Sequence, residues 1–404
     1  MSTASARQRV FPIKGVVQHY TWGGFDFLPG LLADPNPERK PFAEYWLGAH
    51  PNCPSTLANG GQCLDELLAG DPGALLGAAT QARFGRLPFL LKLLDVRQML
   101  SIQVHPGKAE AEAGFSRENS AGIPLKAPHR NYRDDNHKPE IMVALSEFWL
   151  LHGFKPAPAL RRTLGEVPEL GPLLPLFDAG SYKGLYEHVM RLDQQAVDAL
   201  LRPLAARISP LYAAGRLAKD SPDFWAARAL ETFPGTGSVD RGLFSIYFFN
   251  LLRLAPGEGI FQDAGLPHAY LEGQNVELMA NSDNVLRAGL TDKHMDVPEL
   301  LRLVRFEATE PNILRPATEP CADYVAPVAE FALEACHLPA GTVRAAAFPT
   351  ASILLVTGGE GSATDGTSTW PLAPATALYA APGAALQLAA RGELRFFTAR
   401  VPGV

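Results

Sequence analysis

The stretch Gly265-Leu-Pro-His268-Ala-Tyr270-Leu-Glu272-Gly273, continuing past Glu277 to Asn281-Ser-Asp283-Asn-Val-Leu-Arg287-Ala-Gly-Leu-Thr291, decides how this chain is read. It gathers a histidine, a tyrosine, two glutamates, an aspartate and an arginine into one segment punctuated by Gly and Asn. A core strand or an amphipathic helix would show apolar residues recurring at period 2 or 3.6, and this text does not. Asn281-Ser-Asp-Asn284 has no apolar face at all. The composition predicts loop-like backbone held rigid for a site.

A second stretch answers it upstream: Leu100-Ser101-Ile-Gln103-Val-His105-Pro106, then Asn136-His137-Lys138-Pro-Glu140. Gln103 and His105 are two apart, so on a strand they leave one face while Ile102 and Val104 leave the other. The apolar pair then faces packing, and Gln103 and His105 face a cavity. Two imidazoles (His105, His268), the Glu140 carboxylate and the Gln103 amide oxygen make a four-ligand metal shell.

These motifs and the text around them resemble the type I mannose-6-phosphate isomerases of the cupin superfamily. The resemblance runs from Val10 to about Leu300. It includes Phe11-Pro-Ile-Lys-Gly-Val-Val-Gln-His-Tyr-Thr-Trp-Gly23, Ala43-Glu-Tyr-Trp-Leu-Gly-Ala-His-Pro51 and Leu87-Pro-Phe-Leu-Leu-Lys-Leu-Leu94. Gly257-Glu-Gly-Ile-Phe-Gln-Asp263-Ala-Gly265-Leu-Pro-His268 is similar to the second cupin motif, a Gly-rich hairpin that delivers one His into a barrel. Asp263 stands where that motif usually has Pro, and Glu272 where it has Asn. Gln103-x-His105 replaces the first motif's His-x-His. The resemblance implies one Zn2+ per chain, a choice that also suits N/O ligation. It implies interconversion of mannose 6-phosphate and fructose 6-phosphate through a cis-enediol, and it favours a monomer.

That reaction opens a ring and moves a proton between C2 and C1, building negative charge on two oxygens. It needs a cation near those oxygens, a base near carbon and a partner for the phosphate. Lys138 shares a face with Glu140 on extended backbone and is the leading proton shuttle, with His137 on the opposite side as the alternative. Arg287 carries a permanent charge and a fork suited to oxygen pairs, so it either stabilises the enediolate or holds the phosphate. Tyr270, two residues past His268, is placed to donate to a sugar hydroxyl. Glu277 and Asp283 are expected to orient Arg287 or to bind hydroxyls, with turn or cap residues as the bland alternative. Ser101 and Lys293 are phosphate candidates. Lys92, a charge within Leu-Leu-Lys-Leu-Leu, is costly to bury unpaired, and the family resemblance suggests that it lines the site. The other histidines carry no such support.

The fold expected is mainly β with a helical insert. Residues 1–155 and 241–318 make a discontinuous cupin/jelly-roll catalytic domain, residues 156–240 an α-helical domain, and residues 319–404 a jelly-roll-like β domain without metal ligands. Helices are expected near Leu64–Leu68 and residues 107–114. In the insert they are expected at Ala159–Leu164, Gly184–Leu192, Gln194–Ile208 and Phe224–Phe233, with β texture returning at Leu243–Leu252. In the tail, Ser352–Val356, Leu378–Gly383, Leu386–Ala389 and Leu394–Phe397 read as short strands.

With 404 residues, 47% hydrophobic, the chain can bury more than one core. A net charge of −6 gives no basic surface for nucleic acid or anionic membrane. The first nine residues lack an apolar signal-peptide core, and no run of eighteen apolar residues exists. Four cysteines with no CxxC predict reduced thiols and a cytoplasmic protein. No GxxxxGKS or GxGxxG pattern implies a nucleotide. Two other functions compete. A cupin dioxygenase would use two His and a carboxylate with open positions, against which Gln103 as a fourth ligand argues. A non-catalytic sugar-binding cupin would need neither Lys138 nor Arg287.

Overall fold

The computed structural model describes residues 8–235, 237–315 and 320–403. The expected domain boundary at 318/319 and most of the N-terminal stretch read for a signal sequence lie outside them. The described chain is mainly β, in a ten-stranded and a nine-stranded sheet, with a helical portion between Ala157 and Phe248.

The ten-stranded sheet is organised by one long strand, His268–Ala280. Its second half pairs with Phe89–Val96 on one side and Glu140–Ala144 on the other. Its first half pairs instead with Phe148–Phe154 and, at His268, with Gln103. A bulge between Tyr270 and Glu272 marks the change. One continuous strand therefore serves two sets of neighbours, which curls the sheet round a cavity.

Alternation along these strands separates structure from chemistry. Leu91, Leu93, Ile141, Val143, Val276 and Leu278 leave one face and pack against Ile353, Leu355 and Tyr379 of the nine-stranded sheet. Lys92, Leu94 and Glu140 leave the other face and line the cavity. A fully buried Leu, Ile or Val contributes about 1.5–3 kcal/mol. A one-residue slip would exchange the two faces, so the apolar side fixes the register and leaves the polar side free.

The four expected helices are present, but the second starts at Leu174 rather than Gly184, and the third runs through Pro203 and Pro210 instead of stopping at Ile208 before the Ser-Pro pair. Helices run Ala157–Glu166, Leu174–Arg191, Gln194–Ala213 and Pro222–Thr232. Val197, Leu201, Leu204 and Ile208 of the third are fully buried in one core with Trp225. The early helices Leu64–Gly70 and Lys108–Ser120 also lie where expected.

Several expectations are corrected. The Gly- and Asn-rich segment is not loop throughout, since its 268–280 part is the central strand. Its polar side chains are buried against one another, which breaks the apolar alternation a strand ordinarily shows. The β texture at 243–252 begins as the helix Gly242–Phe248, and the strand starts only at Phe249. Tertiary packing outweighs the local β preference of these aromatics: every residue of that helix is buried, and Tyr247 donates to Asp223 of a neighbouring helix at 2.7 Å. In the tail, 386–389 and 394–397 are one strand, Ala384–Arg400, whose pairing with Ser352–Thr364 shifts register twice. Two pieces assigned to the catalytic domain, Val10–Lys14 and Thr56–Leu57, belong to the nine-stranded sheet, where Val10–Lys14 pairs with Ala377–Ala380. Cys321 and Cys336 form a disulfide, against the expectation of reduced thiols throughout, while Cys53 and Cys63 are free. The bonded pair are directly opposed cross-strand neighbours with Cα atoms 4.1 Å apart, a proximity that the sequence does not display.

Candidate active site

Cross-strand register brings the metal-ligand candidates together. His268 lies opposite both Gln103 and His152, and Glu140 lies opposite Met279 of the same long strand. His105 Nε2 is 3.4 Å from Glu140 Oε1, and His268 Nε2 is 3.4 Å from Glu140 Oε2. Potential ligand atoms of His105, Glu140 and His268 all lie within 4.8 Å of one another, and all three residues are buried.

The imidazoles are oriented for ligation. His105 Nδ1 is 2.9 Å from the Asn284 carbonyl oxygen, and His268 Nδ1 is 2.9 Å from that of Leu266. A carbonyl only accepts, so each Nδ1 carries the proton and each Nε2 presents a lone pair. His105 Nε2 is buried without a hydrogen-bond partner. An orphaned imidazole nitrogen aimed at a carboxylate that a second imidazole also faces is what a divalent cation satisfies. Burial, reinforced by Lys138 and opposed by Glu140, lowers His105 to about 4, keeping the ring neutral as a ligand must be. Gln103 lines the same cavity as Glu140 and His268.

The cavity is walled by Glu44, Lys92, Lys138, Tyr270 and Glu277 and by the apolar Leu94, Leu100 and Ala269. Lys138 Nζ donates to Glu140 Oε1 at 2.7 Å. Lys92, opposite Glu277 in the ladder, donates to its Oε2 at 3.0 Å and lies 3.6 Å from Glu44. It also sits 5.1 Å above the Trp46 ring. Burial alone would lower Lys92; Glu44, Glu277 and Glu140 outweigh it and hold the ammonium above the usual lysine range.

The bulge explains how Glu277 reaches this cavity. Nine positions separate it from His268, which would put the two on opposite faces of a regular strand. The extra residue at 270–272 restores the phase. Tyr270 Oη donates to Glu277 Oε1 at 2.9 Å. Burial raises the Tyr270 phenol well above its usual range, reinforced by Glu277 and Glu140, so it stays neutral. Glu272 falls on the other side of the bulge, where Lys219 and Arg228 of the helical portion clamp it.

Other expectations change with the geometry. Glu277 and Asp283 do not orient Arg287: Glu277 is engaged by Lys92 and Tyr270, and Asp283 accepts from Asn52 at 2.9 Å and faces His50 at 3.5 Å. Tyr270 has committed its proton to Glu277, so toward a ligand it offers an acceptor rather than the expected donor. His137 turns away to Glu330, 2.7 Å from its carboxylate. Ser101 is half-buried and is not among the cavity-lining residues.

Arg287 lies opposite Gln103 in the short Leu286–Arg287 strand, and directly opposed residues share a face. Among the described residues its guanidinium has no ion-pair partner. Burial lowers it, Arg133 adds to that, and Asp292 opposes. Lys293 is lowered by burial and by Arg287 and Arg133, again against Asp292. Arg133, Arg287 and Lys293 thus form a cationic group only partly offset by Asp292.

Two residues that the sequence reading passed over shape the site. Glu44 lies inside the quoted Ala43–Pro51 motif, but no charge pattern there marks it. Asn284, fully buried, ties residues 133–136 to the His105 ring. Its carbonyl accepts from His105, and its amide donates to the carbonyls of Asp134 at 2.8 Å and Asn136 at 2.9 Å. Its amide oxygen accepts from the Arg133 backbone N–H at 2.7 Å. The lack of any apolar face at 281–284 was the available signal.

The chain is similar to known proteins over most of its length. The family profile "Phosphomannose isomerase type I, catalytic domain" matches residues 10–157. Mannose-6-phosphate isomerase of Escherichia coli K12 is 39% identical over 330 residues, covering 78% of this chain and 81% of that protein. The Homo sapiens mannose-6-phosphate isomerase is 34% identical over 401 residues, covering 91% of this chain and 92% of that one. A crystal structure of mannose 6-phosphate isomerase from Salmonella typhimurium, bound to its fructose 6-phosphate substrate and to zinc, superposes with a TM-score of 0.88 at 33% identity, covering 98% of this chain and all of that one. With that likeness running along nearly the whole chain, the protein belongs to the type I phosphomannose isomerase family.

Proposed function

We propose that this chain interconverts mannose 6-phosphate and fructose 6-phosphate, with one zinc ion held by Gln103, His105, Glu140 and His268. The observation that carries the reading is the orphaned His105 Nε2 facing Glu140 beside His268, in a cavity that also holds the Lys138 amine. When bound, zinc would supply a net positive centre that polarises the sugar's carbonyl and hydroxyl oxygens, since Glu140 is the single anionic ligand. The protein's own groups do the rest. Lys138, hydrogen-bonded to Glu140, is the group placed to move the proton between C2 and C1. Lys92 stays a cation pinned between Glu277 and Glu44, which suits it to hold a hydroxyl oxygen rather than to act as a base. Tyr270, fixed by Glu277, accepts from a hydroxyl. Arg287, Lys293 and Arg133 receive the phosphate, with Ser101 at the margin. Asp283 keeps its anionic form beside His50 and bounds the loop.

A dioxygenase is not favoured, because Gln103, read as a fourth ligand, would fill a position that such a site leaves open. A purely sugar-binding role leaves the buried Lys138–Glu140 pair without a purpose. We read the enzyme as a cytoplasmic monomer on family likeness, which light scattering in solution checks for the oligomeric state; no described helix is long and apolar enough to cross a membrane.

The deciding experiment is a coupled assay on mannose 6-phosphate before and after chelation. Activity should vanish with the metal and return on adding zinc. Undiminished turnover by fully stripped protein would overturn the assignment.

A further inference from the structure

The turn between Arg287 and Lys293 is held in an unusual backbone conformation. Leu290 has a φ of 54° and Gly289 one of 122°. A side chain at φ above zero is disfavoured and persists only where its surroundings impose it. On one flank the turn is tied to the ligand-bearing segment: Ile102 N–H donates to the Gly289 carbonyl at 3.1 Å, and Ala288 N–H to that of Ile102 at 2.9 Å. On the other flank a single carboxylate does the holding. Asp240 Oδ1 accepts from Gly242 N–H at 2.7 Å and Leu290 N–H at 2.8 Å, and Oδ2 accepts from Thr291 N–H at 3.1 Å. The two backbones meet so closely that a Cβ on Gly289 would lie 2.4 Å from Gly242 Cα. Asp240 sits where the chain leaves the helical insert, just ahead of the helix Gly242–Phe248. A side chain at the end of the insert thus holds three backbone N–H groups, two of them in the turn itself.

We propose that Asp240 is a positioning residue for phosphate recognition: it sets the 289–291 turn and thereby the spacing of Arg287 and Lys293. This rests on the reading of those two cations as the phosphate site. It gives the helical insert a part in substrate binding beyond support of the sheet.

The test uses full-length, zinc-loaded enzyme and follows kcat and KM for mannose 6-phosphate, inhibition by inorganic phosphate, zinc content and Tm. Asp240→Asn retains an oxygen for Gly242 and Leu290 but sets an amide N–H against Thr291. Losing one charge-assisted hydrogen bond should raise KM and the phosphate inhibition constant about tenfold, with zinc content unchanged and kcat altered less. Asp240→Ala should shift both constants further. In a Lys293→Ala background the effect of Asp240→Asn should largely disappear, because the cation it places is gone. Wild-type KM and phosphate inhibition in Asp240→Asn would overturn the proposal, as would a loss confined to Tm or zinc, or full additivity with Lys293→Ala. If Arg287→Ala and Lys293→Ala both bind inorganic phosphate normally, the phosphate reading itself fails and the role of Asp240 falls with it.

Discussion

Lys138 and Glu140 show how far a single pair can be pressed. Their 2.7 Å hydrogen bond places an amine within reach of the carboxylate that faces both imidazoles. Lys138→Ala should lower turnover by ~100-fold, the scale of a lost general acid/base group, with zinc content intact. Deuterium exchange at C2 should fall in parallel; retained exchange would move the base elsewhere, and His137, turned toward Glu330, is not positioned to replace it. Asn284 acts through His105. Its amide bonds two carbonyls and its own carbonyl accepts from the His105 ring. Asn284→Ala keeps the backbone carbonyl that meets the ring but unties the segment that carries it, and should weaken zinc affinity by ~10-fold, the lower end of what a disturbed ligand-orienting partner costs. Competition with a zinc-sensitive dye measures this, and unchanged affinity would show that the backbone alone fixes the ring.

Among elements, the His268–Ala280 strand carries most of the design. Its bulge lets one strand present His268, Tyr270 and Glu277 to the same cavity while Glu272 is turned to the helical insert. Its pairing with Phe148–Phe154 sets His152 opposite His268. Burial, aided by His268 and opposed by Gln262, lowers His152 from 6.5 to about 3, so the fold admits it only as a neutral ring. Both His152 and His105 have native values below their unfolded ones. Between pH 6.5 and about 4 the unfolded chain therefore binds protons that the native ladder refuses. Their contribution to stability is complete above pH 6.5 and is lost as the pH falls, at up to ~1.4 kcal/mol per pH unit for each histidine. Urea midpoints should drop across this window, and His152→Gln should make the slope shallower. A slope identical in wild type and variant would remove His152 from the account.

The whole molecule draws the proposed zinc ligands from three stretches far apart in the chain, at 103–105, 140 and 268. Closing loops of that length with an ion stabilises the native state over the unfolded one. Stripped protein should therefore melt several degrees lower and recover on zinc addition, with Tm rising with the logarithm of free zinc. A Tm indifferent to zinc would mean that packing against the nine-stranded sheet alone holds the cavity. At this scale the reach of the sequence is clear. His105, Glu140 and His268, which the structure groups, could be singled out because ligand chemistry restricts residue type and the quoted motifs carry the family resemblance. The helical insert was legible from its apolar period of 3.6, although Pro203 and Pro210 lie inside one of its helices rather than ending it. Tertiary structure alone settled what depends on partners remote in the chain. The bulge that turns Glu277 inward, the pairing of Glu44 with Lys92, the Cys321–Cys336 bond and the recruitment of Val10–Lys14 into the far sheet all belong here. So does the helix at Gly242–Phe248, whose aromatics read locally as strand. Local sequence encodes preference and spacing, whereas register, burial and charge pairing arise only when distant segments compete for the same space.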